Sequence, residues 1–475
     1  MFSFTPLLDN TINKPIYYQL YECIKKEIIY GNIKGDEKLP SLRNLSKNLQ
    51  LSKNTIEAAY DQLYAEGYIK RIPKVGYIVE NIDSDLLKAS HISNSLNFKN
   101  EDTENIKKLK YDLAPQYMDK DCYTIKTWKN IINSVINDEF ESLLSYGDSQ
   151  GEYELRFEIA KYVYENRGVQ CKPNQIVVGA GTQYCLNLIC QILRGNFDSI
   201  GMEEPGSSYI RYVFERNQFN IEPIDVNANG LDVRKLENSR CKITFVTPSH
   251  QFPKGVIMSV KNRLQLLNWA QNNDGIIIED DYDSEMRFSN KPIPALKSLD
   301  NFDRVIYLGT FSKIFIPSIR ISFMVLPNWL LDLYLDKYKM NGQTTSKLEQ
   351  IALARFMNKG YLQSHIRKAR RHYEKKYKVI TKAIHTFMGG KVNLISSNTG
   401  MRAILELETS RGEEEIVNIT KNAGIKITPI SKYYIDKNNY DGNGKVRVLI
   451  SYKGIPIEDI EPVIKLLNDI WFNDN

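Results

Sequence analysis

The stretch GTFSKIFIPSIRIS, residues 309–322, decides how the larger part of the chain folds. The residues directly before it, 304–308, are rich in β-branched and aromatic side chains and predict a β-strand. Lys313 therefore lies just past a strand end, in a turn of small residues, and a second cation, Arg320, follows seven residues later. Ligands of doubly wound sheets bind at the carboxyl ends of strands. The stretch thus predicts a ligand site on a parallel sheet.

From about residue 109 to the end of the chain, short apolar runs alternate with helical patterns. Continuous apolar runs are typical of parallel strands that are buried on both faces of a sheet. Four runs predict such strands, at residues 176–178, 243–246, 276–278 and 305–308. The pattern indicates an α/β domain with a mostly parallel sheet.

Polar residues follow two of the other runs. Gly179–Gln183 opens a helix, and the backbone N–H groups of such a turn can hold a phosphate. Glu279–Tyr282 supplies three carboxylates and a phenol. Taken singly, each feature has a plainer explanation: a glycine turn that is only a turn, a solvated acidic loop, and a surface lysine at Lys313.

Taken together, these groups predict a site for an aldehyde cofactor that carries a pyridine ring and a phosphate. Such a cofactor needs an amine that forms a Schiff base, a carboxylate that pairs with the pyridinium nitrogen, and donors that hold the phosphate. Lys313, Asp280 and the Gly181–Thr182 turn supply one of each.

The first 80 residues show a different pattern, with three helical periodicities followed by a hairpin. Pro40 is expected to open the second helix, Ser52 to cap the third and Gly67 to end it. Only two residues, 50 and 51, separate the second and third helices, which is typical of a helix-turn-helix. Residues 68–79 then predict a two-stranded wing. The segment is therefore expected to be an α+β winged helix-turn-helix.

A winged helix-turn-helix inserts the N-terminal end of its second motif helix into the major groove. Residues 38–76 carry seven basic and three acidic side chains, a local net charge of +4 that suits phosphate contact. The alternative is a plain packing or dimerisation module. The candidate DNA-contacting residues are Ser41, Arg43, Ser52, Lys53, Asn54, Thr55, Lys74 and Gly76.

Length and composition bound the remaining possibilities. The 475 residues suggest two or three domains, and the net charge of +6 permits a nucleic-acid partner without requiring one. Six scattered cysteines show no metal-ligand spacing and fit a reducing compartment, so no metal site is expected. No signal peptide or membrane-length apolar run is evident, which predicts a soluble, cytoplasmic protein.

Three motifs, the opening stretch, TPSHQFPKG (247–255) and IIEDDYDSE (277–285), resemble the GabR type of the MocR regulators. In that family a GntR-type winged helix is fused to a fold-type I aminotransferase domain. The resemblance spans nearly the whole chain. It implies a DNA-binding domain at 1–80, a linker at 81–108, and an aminotransferase-like effector domain at 109–475 that includes a smaller C-terminal α/β subdomain.

The resemblance also implies pyridoxal 5'-phosphate as the cofactor. Lys313 resembles the Schiff-base lysine and Asp280 the partner of the pyridine nitrogen. Tyr282 resembles the tyrosine near the ring hydroxyl and Arg320 the arginine near the phosphate. Further phosphate-side positions match Ala180, Gly181, Thr182, Thr310 and Ser312. Aminotransferases carry an asparagine for the ring oxygen where this chain has His250 and Gln251, and the sequence does not choose between the two.

Effector contacts follow from the same resemblance. In GKVRVLISY (444–452), Arg447 resembles the arginine that clamps a substrate carboxylate, with a structural ion pair as the alternative. In EEPGSSYIRY (203–212), Tyr209 and Arg211 resemble effector-contacting residues. This loop departs from the family pattern, because Ser207 stands where an aromatic residue is usual.

The implied function is a transcription regulator that binds double-stranded DNA and senses a GABA-like amine or amino acid, which displaces Lys313 as an external aldimine. At most a partial aminotransferase half-reaction is expected. Two alternatives stay open: an active aminotransferase that carries a DNA-binding module, and a regulator that senses pyridoxal phosphate itself to control vitamin B6 synthesis. Family members form head-to-tail homodimers, and Tyr146 in SYGDSQG (145–151) resembles a residue that reaches the partner's site.

Overall fold

The computed structural model describes residues 14–81, 109–114, 118–123, 125–288, 293–395, 400–436, 440 and 444–473. The chain divides between residues 106 and 107 into two compact units, which are described separately. Of the expected linker, 81–108, all but residue 81 lies outside the described residues. Among the described residues, no helix is long and apolar enough to cross a membrane.

The small unit is a winged helix-turn-helix, as its sequence predicts. Its elements are helices α1 (Ile16–Ile29), α2 (Leu42–Leu49) and α3 (Lys53–Ala65) and strands β1 (Ile69–Ile72) and β2 (Gly76–Val79). The two strands pair antiparallel and form the wing. Apolar residues from all three helices and both strands make one buried core.

Side-chain caps explain where the two motif helices begin. The Ser41 hydroxyl accepts a hydrogen bond from the Asn44 N–H at 3.3 Å, so the second helix starts after Ser41 and not at Pro40. Ser52 caps the third helix as expected, because its hydroxyl accepts from the Thr55 N–H at 3.1 Å. These caps leave a tight turn between the two helices.

The large unit contains most of the secondary structure. Its strands are β3 (Tyr111–Asp112), β4 (Ile176–Ala180), β5 (Ser199–Glu204), β6 (Asn220–Asn227), β7 (Gly230–Leu231), β8 (Ile243–Val246), β9 (Ile276–Asp281), β10 (Val305–Thr310), β11 (Ile321–Val325), β12 (Val392–Leu394), β13 (Arg402–Leu407), β14 (Ile425–Lys426), β15 (Thr428–Pro429) and β16 (Val446–Ser451). Its helices are α4 (Ile125–Asp138), α5 (Phe140–Leu143), α6 (Tyr153–Arg167), α7 (Thr182–Leu193), α8 (Ser208–Arg216), α9 (Val233–Glu237), α10 (Val260–Asn272), α11 (Asn328–Lys337), α12 (Lys347–Asn358), α13 (Tyr361–Met388), α14 (Glu413–Asn422) and α15 (Ile457–Phe472).

A sheet of eight strands, in the order β4-β11-β10-β9-β8-β5-β6-β7, forms the centre of this unit. All four strands that the apolar runs predict belong to it. Neighbours pair in parallel except around β11 and at the β7 edge. Strand β11 runs antiparallel between β4 and β10, and its register sets Ile321 beside Ala180 and Ser322 beside Thr310. The turns after β4 and β10 therefore meet at one edge.

A second sheet, in the order β12-β13-β16-β15, is antiparallel throughout. Together with α13, α14 and α15 it forms the smaller C-terminal α/β part that the sequence predicts. The register of β13 against β16 pairs Arg402 with Ser451 and Glu406 with Arg447. Because side chains alternate along a strand, these four residues share one face of the sheet.

Candidate functional site

Lys313 lies in the turn that follows β10 and is half-buried. Burial lowers the pKa of its ammonium group, and the positive charges of Arg402 and Arg320 lower it further, whereas Asp283 and Asp280 oppose the shift. A lowered pKa increases the fraction of neutral amine, which is the nucleophilic form. The surroundings of Lys313 therefore suit attack on an aldehyde.

Asp280 lies near the end of β9, where its backbone pairs with Leu308 of β10. Burial and the neighbouring charges of Asp281 and Asp283 raise the pKa of this carboxyl to about 8, against the opposing influence of Lys313. Its Oδ1 atom is buried and has no hydrogen-bond partner. A buried acceptor without a donor is costly. The N–H of a pyridinium ring would satisfy it, so the residue fits the role that the sequence predicts.

The glycine turn after β4 lies against a guanidinium group. Gly181 has a φ of +92°, and a Cβ atom at this position would clash with the guanidinium of Arg320. Arg320 itself adopts a left-handed conformation with φ +53°. The backbone thus holds a cation beside the N-terminus of α7, which begins at Thr182. A phosphate group is suited to this combination of charge and N–H donors.

Two hydroxyl groups from the turn after β10 complete the predicted phosphate side. The Ser312 Oγ atom is buried and has no hydrogen-bond partner. The Thr310 hydroxyl oxygen accepts from the Ser322 hydroxyl at 2.7 Å and from the Ser312 N–H at 3.2 Å. The Ala180 N–H donates to the Thr344 hydroxyl at 3.2 Å. The Ser312 hydroxyl therefore has no protein partner, whereas the Thr310 oxygen accepts two hydrogen bonds and the Ala180 N–H has an acceptor in Thr344.

The structure distinguishes between His250 and Gln251. His250 Nδ1 lies 2.9 Å from Asp283 Oδ1, and its ring stacks on Tyr282 with centroids 6.1 Å apart. The Tyr282 hydroxyl donates to the His250 carbonyl oxygen at 3.0 Å. Gln251 is buried, and its amide donates to the carbonyl oxygens of Pro205 and Phe252 at 2.9 and 2.6 Å. The Gln251 side chain thus stabilises the backbone of neighbouring loops. His250 is the better candidate for the residue that lies beside the ring oxygen of the cofactor.

The predicted effector-contacting residues lie on two different elements: Arg447 on strand β16, and Tyr209 and Arg211 on helix α8. Arg447 forms a salt bridge with Glu406, 2.7 Å from Nε to Oε2, which is the structural ion pair that the sequence left as an alternative. Tyr209 lies on α8 and is exposed; it raises the pKa of Tyr433, which Arg402 lowers. Arg211, also on α8, lies 3.7 Å from Glu215.

Sequence reasoning missed four charged residues that act on this site: Glu203, Asp283, Arg402 and Lys453. Glu203 is buried with an Oε1 that has no partner, and burial raises its pKa to about 7. Burial places the pKa of Lys453 well below its usual value, and Lys313 and Arg402 act in the same direction. Asp283 was visible inside the quoted acidic motif, whereas Arg402 and Lys453 belong to the second sheet and the segment that follows it.

The candidate DNA-contacting residues of the small unit lie at or near its surface. Thr55 and Gly76 are half-buried, and the others, Ser41, Arg43, Ser52, Lys53, Asn54 and Lys74, are exposed. Ser41 and Ser52 also cap their helices, so their hydroxyls have a structural task. Helix α3 thus presents a polar N-terminal turn with an adjacent cation, Lys53.

Comparison with known proteins agrees with this division. Residues 16–79 match the family described as bacterial regulatory proteins, gntR family, and residues 114–462 match aminotransferase class I and II. The chain is 38% identical over 469 residues to "Uncharacterized HTH-type transcriptional regulator YdeL" of Bacillus subtilis (strain 168), covering 98% of this chain and 99% of that one. It is 30% identical to "Probable rhizopine catabolism regulatory protein MocR" of Rhizobium meliloti, covering 94% and 92%.

The chain belongs to the MocR-type transcription regulators. It joins a GntR-type DNA-binding domain to an aminotransferase-like domain of the pyridoxal-phosphate-dependent kind. The fold of the large unit is similar to that of an archaeal alanine:glyoxylate aminotransferase, with a TM-score of 0.69 and 23% identity over 82% of this chain and 95% of that one. A multiple substrate aminotransferase from Thermococcus profundus matches with a TM-score of 0.67 and 25% identity, covering 76% and 90%.

Proposed function

We propose that this MocR-type regulator senses a small amine or amino acid at Lys313 and converts its binding into a change in DNA affinity. The observation that carries the proposal is the buried, partnerless Oδ1 of Asp280 beside an amine of lowered pKa. When bound, pyridoxal phosphate supplies an aldehyde that condenses with primary amines. Lys313 would hold the cofactor, and an incoming amine would compete with Lys313 for it.

The other site residues have defined tasks in this proposal. Asp280 would accept a hydrogen bond from the pyridinium N–H, and Tyr282 and His250 would lie beside the ring oxygen. The phosphate group would be bound chiefly by Arg320 and Ser312. The adjoining positions are Ala180, Gly181, Thr182 and Thr310. Tyr209 and Arg211 contact the effector from α8. GABA-like compounds, which combine an amine with a carboxylate, are the first class to test.

DNA binding is assigned to the small unit. Lys53, Asn54 and Thr55 would reach the major groove from the first turn of α3, with Ser41, Arg43 and Ser52 on the adjoining helix start and turn. Lys74 and Gly76 would contact the duplex from the wing. Such a regulator acts in the cytoplasm, where it meets both DNA and small amines.

A head-to-tail homodimer is part of the proposal. Phe140, Leu144 and Tyr146 are exposed apolar or aromatic side chains close together in sequence, with exposed fractions of 60%, 75% and 104%. Large exposed apolar groups of this kind mark contact surfaces. Tyr146 would then reach the partner's site, as its sequence context suggests.

The test is recovery of genomic DNA fragments bound by the purified full-length protein, with and without pyridoxal phosphate and a panel of amines, at one stated salt concentration. Repeated half-sites whose occupancy changes with an amine would support the sensor. The Lys313→Ala variant should bind the same sites and lose the amine response. Sequence-blind binding would refute the regulator, and sustained conversion of an amino donor and a keto acceptor would identify an aminotransferase instead. A response to pyridoxal phosphate alone would identify a cofactor sensor.

A further inference from the structure

The charged residues of the second sheet identify which arginine serves the site. Arg447 and Arg402 are both half-buried and lie on one face of this sheet. Arg447 is opposite Glu406, and Glu406 lies four residues along β13 from Arg402. At about 3.3 Å per residue, the two arginine positions are roughly 13 Å apart along the strands. Only one of the two arginine side chains, Arg402 or Arg447, can therefore lie close to Lys313.

The end that carries Arg402 lies against the site. A Cβ atom on Gly400, two residues before Arg402, would clash with the His250 ring and come within 3.3 Å of Asp283 Oδ2. The Gly400 carbonyl oxygen accepts from the Tyr452 hydroxyl at 2.5 Å, which fixes this segment. Since His250 stacks on Tyr282, the start of β13 adjoins the ring-oxygen side of the site.

Aromatic rings hold the Arg402 side chain in place. Its guanidinium carbon lies 5.0 Å from the centroid of the Phe252 ring. The Phe252 ring in turn packs edge-on against Tyr282 and Tyr433, with centroids 6.5 and 4.8 Å apart. A guanidinium group that lies over a ring has a restricted orientation, which favours bidentate contact with a carboxylate.

The positive charge of Arg402 changes the pKa of the Lys313 amine. Among charged groups, Arg402 has the largest influence on the pKa of Lys313, which it lowers. It also lowers the pKa values of Tyr282 and Tyr433 against the rise caused by burial. Arg320, the second arginine acting on Lys313, lies against Gly181, so the two guanidinium groups lie on different sides of the site.

We propose that Arg402, and not Arg447, binds the carboxylate of the effector, and that the effector is therefore an amino acid and not a simple amine. The inference rests on the proposed function, because it assumes that an amine reaches Lys313. Arg447 has the structural task of pairing with Glu406, which Lys445 also approaches at 3.5 Å.

The test uses the full-length protein loaded with pyridoxal phosphate and isothermal titration calorimetry with two matched series of probes. One series is glycine, β-alanine, γ-aminobutyrate and 5-aminovalerate; the other is the n-alkylamines that lack the carboxylate. The variants are Arg402→Gln and Arg402→Lys, with Arg447→Gln as the matched control from the neighbouring strand. The affinity of each variant for pyridoxal phosphate and its thermal unfolding are measured in parallel.

We expect the wild type to prefer one amino acid over its alkylamine. Arg402→Gln should lose roughly 10- to 100-fold in affinity for that amino acid, the usual effect of removing one charge-assisted contact, and little for the alkylamine. Arg402→Lys should recover part of the loss, and Arg447→Gln should retain the preference. Cofactor affinity should change little in all three variants.

Four outcomes would overturn the inference. If the wild type binds alkylamines as well as amino acids, or if Arg447→Gln loses the preference while Arg402→Gln keeps it, the assignment of Arg402 fails and the sensor proposal stands. If Arg402→Gln unfolds, Arg402→Lys is compared with Arg447→Gln, and a larger loss of amino-acid preference in Arg447→Gln than in Arg402→Lys contradicts the assignment. If no amine and no cofactor binds to the wild type, the proposed function fails as well.

Discussion

Replacing Asp280 with asparagine should stabilise the cofactor-free protein at neutral pH. The carboxyl has a pKa of about 8 in the folded chain against an ordinary value of 3.8, a difference of about four units at about 1.4 kcal/mol each. At pH 7 the folded state keeps this carboxyl mostly protonated whereas the unfolded state has released the proton, and the difference of about three units costs the fold about 4 kcal/mol. The asparagine avoids this cost, but its buried amide without a hydrogen-bond partner destabilises the fold by about 1–3 kcal/mol. The net gain for Asp280→Asn is therefore about 1–3 kcal/mol.

The sign of the pH dependence follows from the raised pKa. The folded state holds the Asp280 proton more tightly than the unfolded state, so this contribution is present below pH 3.8 and is lost as the pH rises towards 8. The wild type should thus lose stability relative to Asp280→Asn between pH 4 and pH 8. All four tryptophans lie in the large unit, so urea unfolding followed by tryptophan fluorescence reports on that unit alone.

With pyridoxal phosphate bound, the order should reverse. The asparagine cannot neutralise a pyridinium charge, and removing one charge-assisted hydrogen bond costs about 1.5–3 kcal/mol. The affinity of Asp280→Asn for the cofactor should fall accordingly, measured by fluorescence titration. A stability difference that does not vary with pH, or unchanged cofactor affinity, would refute the role of this carboxylate.

Two further predictions concern the scaffold and the small unit. Arg167→Met should destabilise the large unit by about 3–5 kcal/mol, because it leaves the buried carboxylate of Asp281, 2.6 Å from the Arg167 Nε, without its cation. Its control, Arg304→Met, removes an exposed pair with Asp274 and should cost less than about 1 kcal/mol in the same urea experiment. Lys53→Ala should lower the slope of log affinity against log salt for operator DNA by about 1, and an unchanged slope would exclude a phosphate contact.

The order of elements in both units could be predicted from sequence because the signals are local. Continuous apolar runs predict β4, β8, β9 and β10, and all four lie in the central sheet. The predicted start of α2 at Pro40 was wrong. The Ser41 hydroxyl accepts a hydrogen bond from the Asn44 N–H, and this cap makes the helix begin after Ser41. Helix boundaries depend on such single contacts more than on periodicity.

The geometry of the site was less accessible from sequence. A strand-end rule finds Asp280 and Lys313 because both follow apolar runs, but it does not give the register between separate strands. His250 and Gln251 are adjacent in sequence, and only the hydrogen bonds of Gln251 to Pro205 and Phe252 distinguish their roles. Partnerless atoms such as Asp280 Oδ1 become visible only once the surrounding packing is known.

The second sheet offers two arginines for the carboxylate, and the motif position favours one while the proposal favours the other. Arg447 matches a family pattern, yet the charged group with the largest influence on the pKa of Lys313 is Arg402, on the paired strand β13. A carboxylate-binding site requires a cation within contact distance of the bound group, and either of two adjacent strands can supply it from the same face. An arginine on β13 can therefore replace one on β16 without any change in fold. The position of the cation relative to Lys313 then sets the length of amino acid that fits, so specificity can change while the cofactor site stays the same.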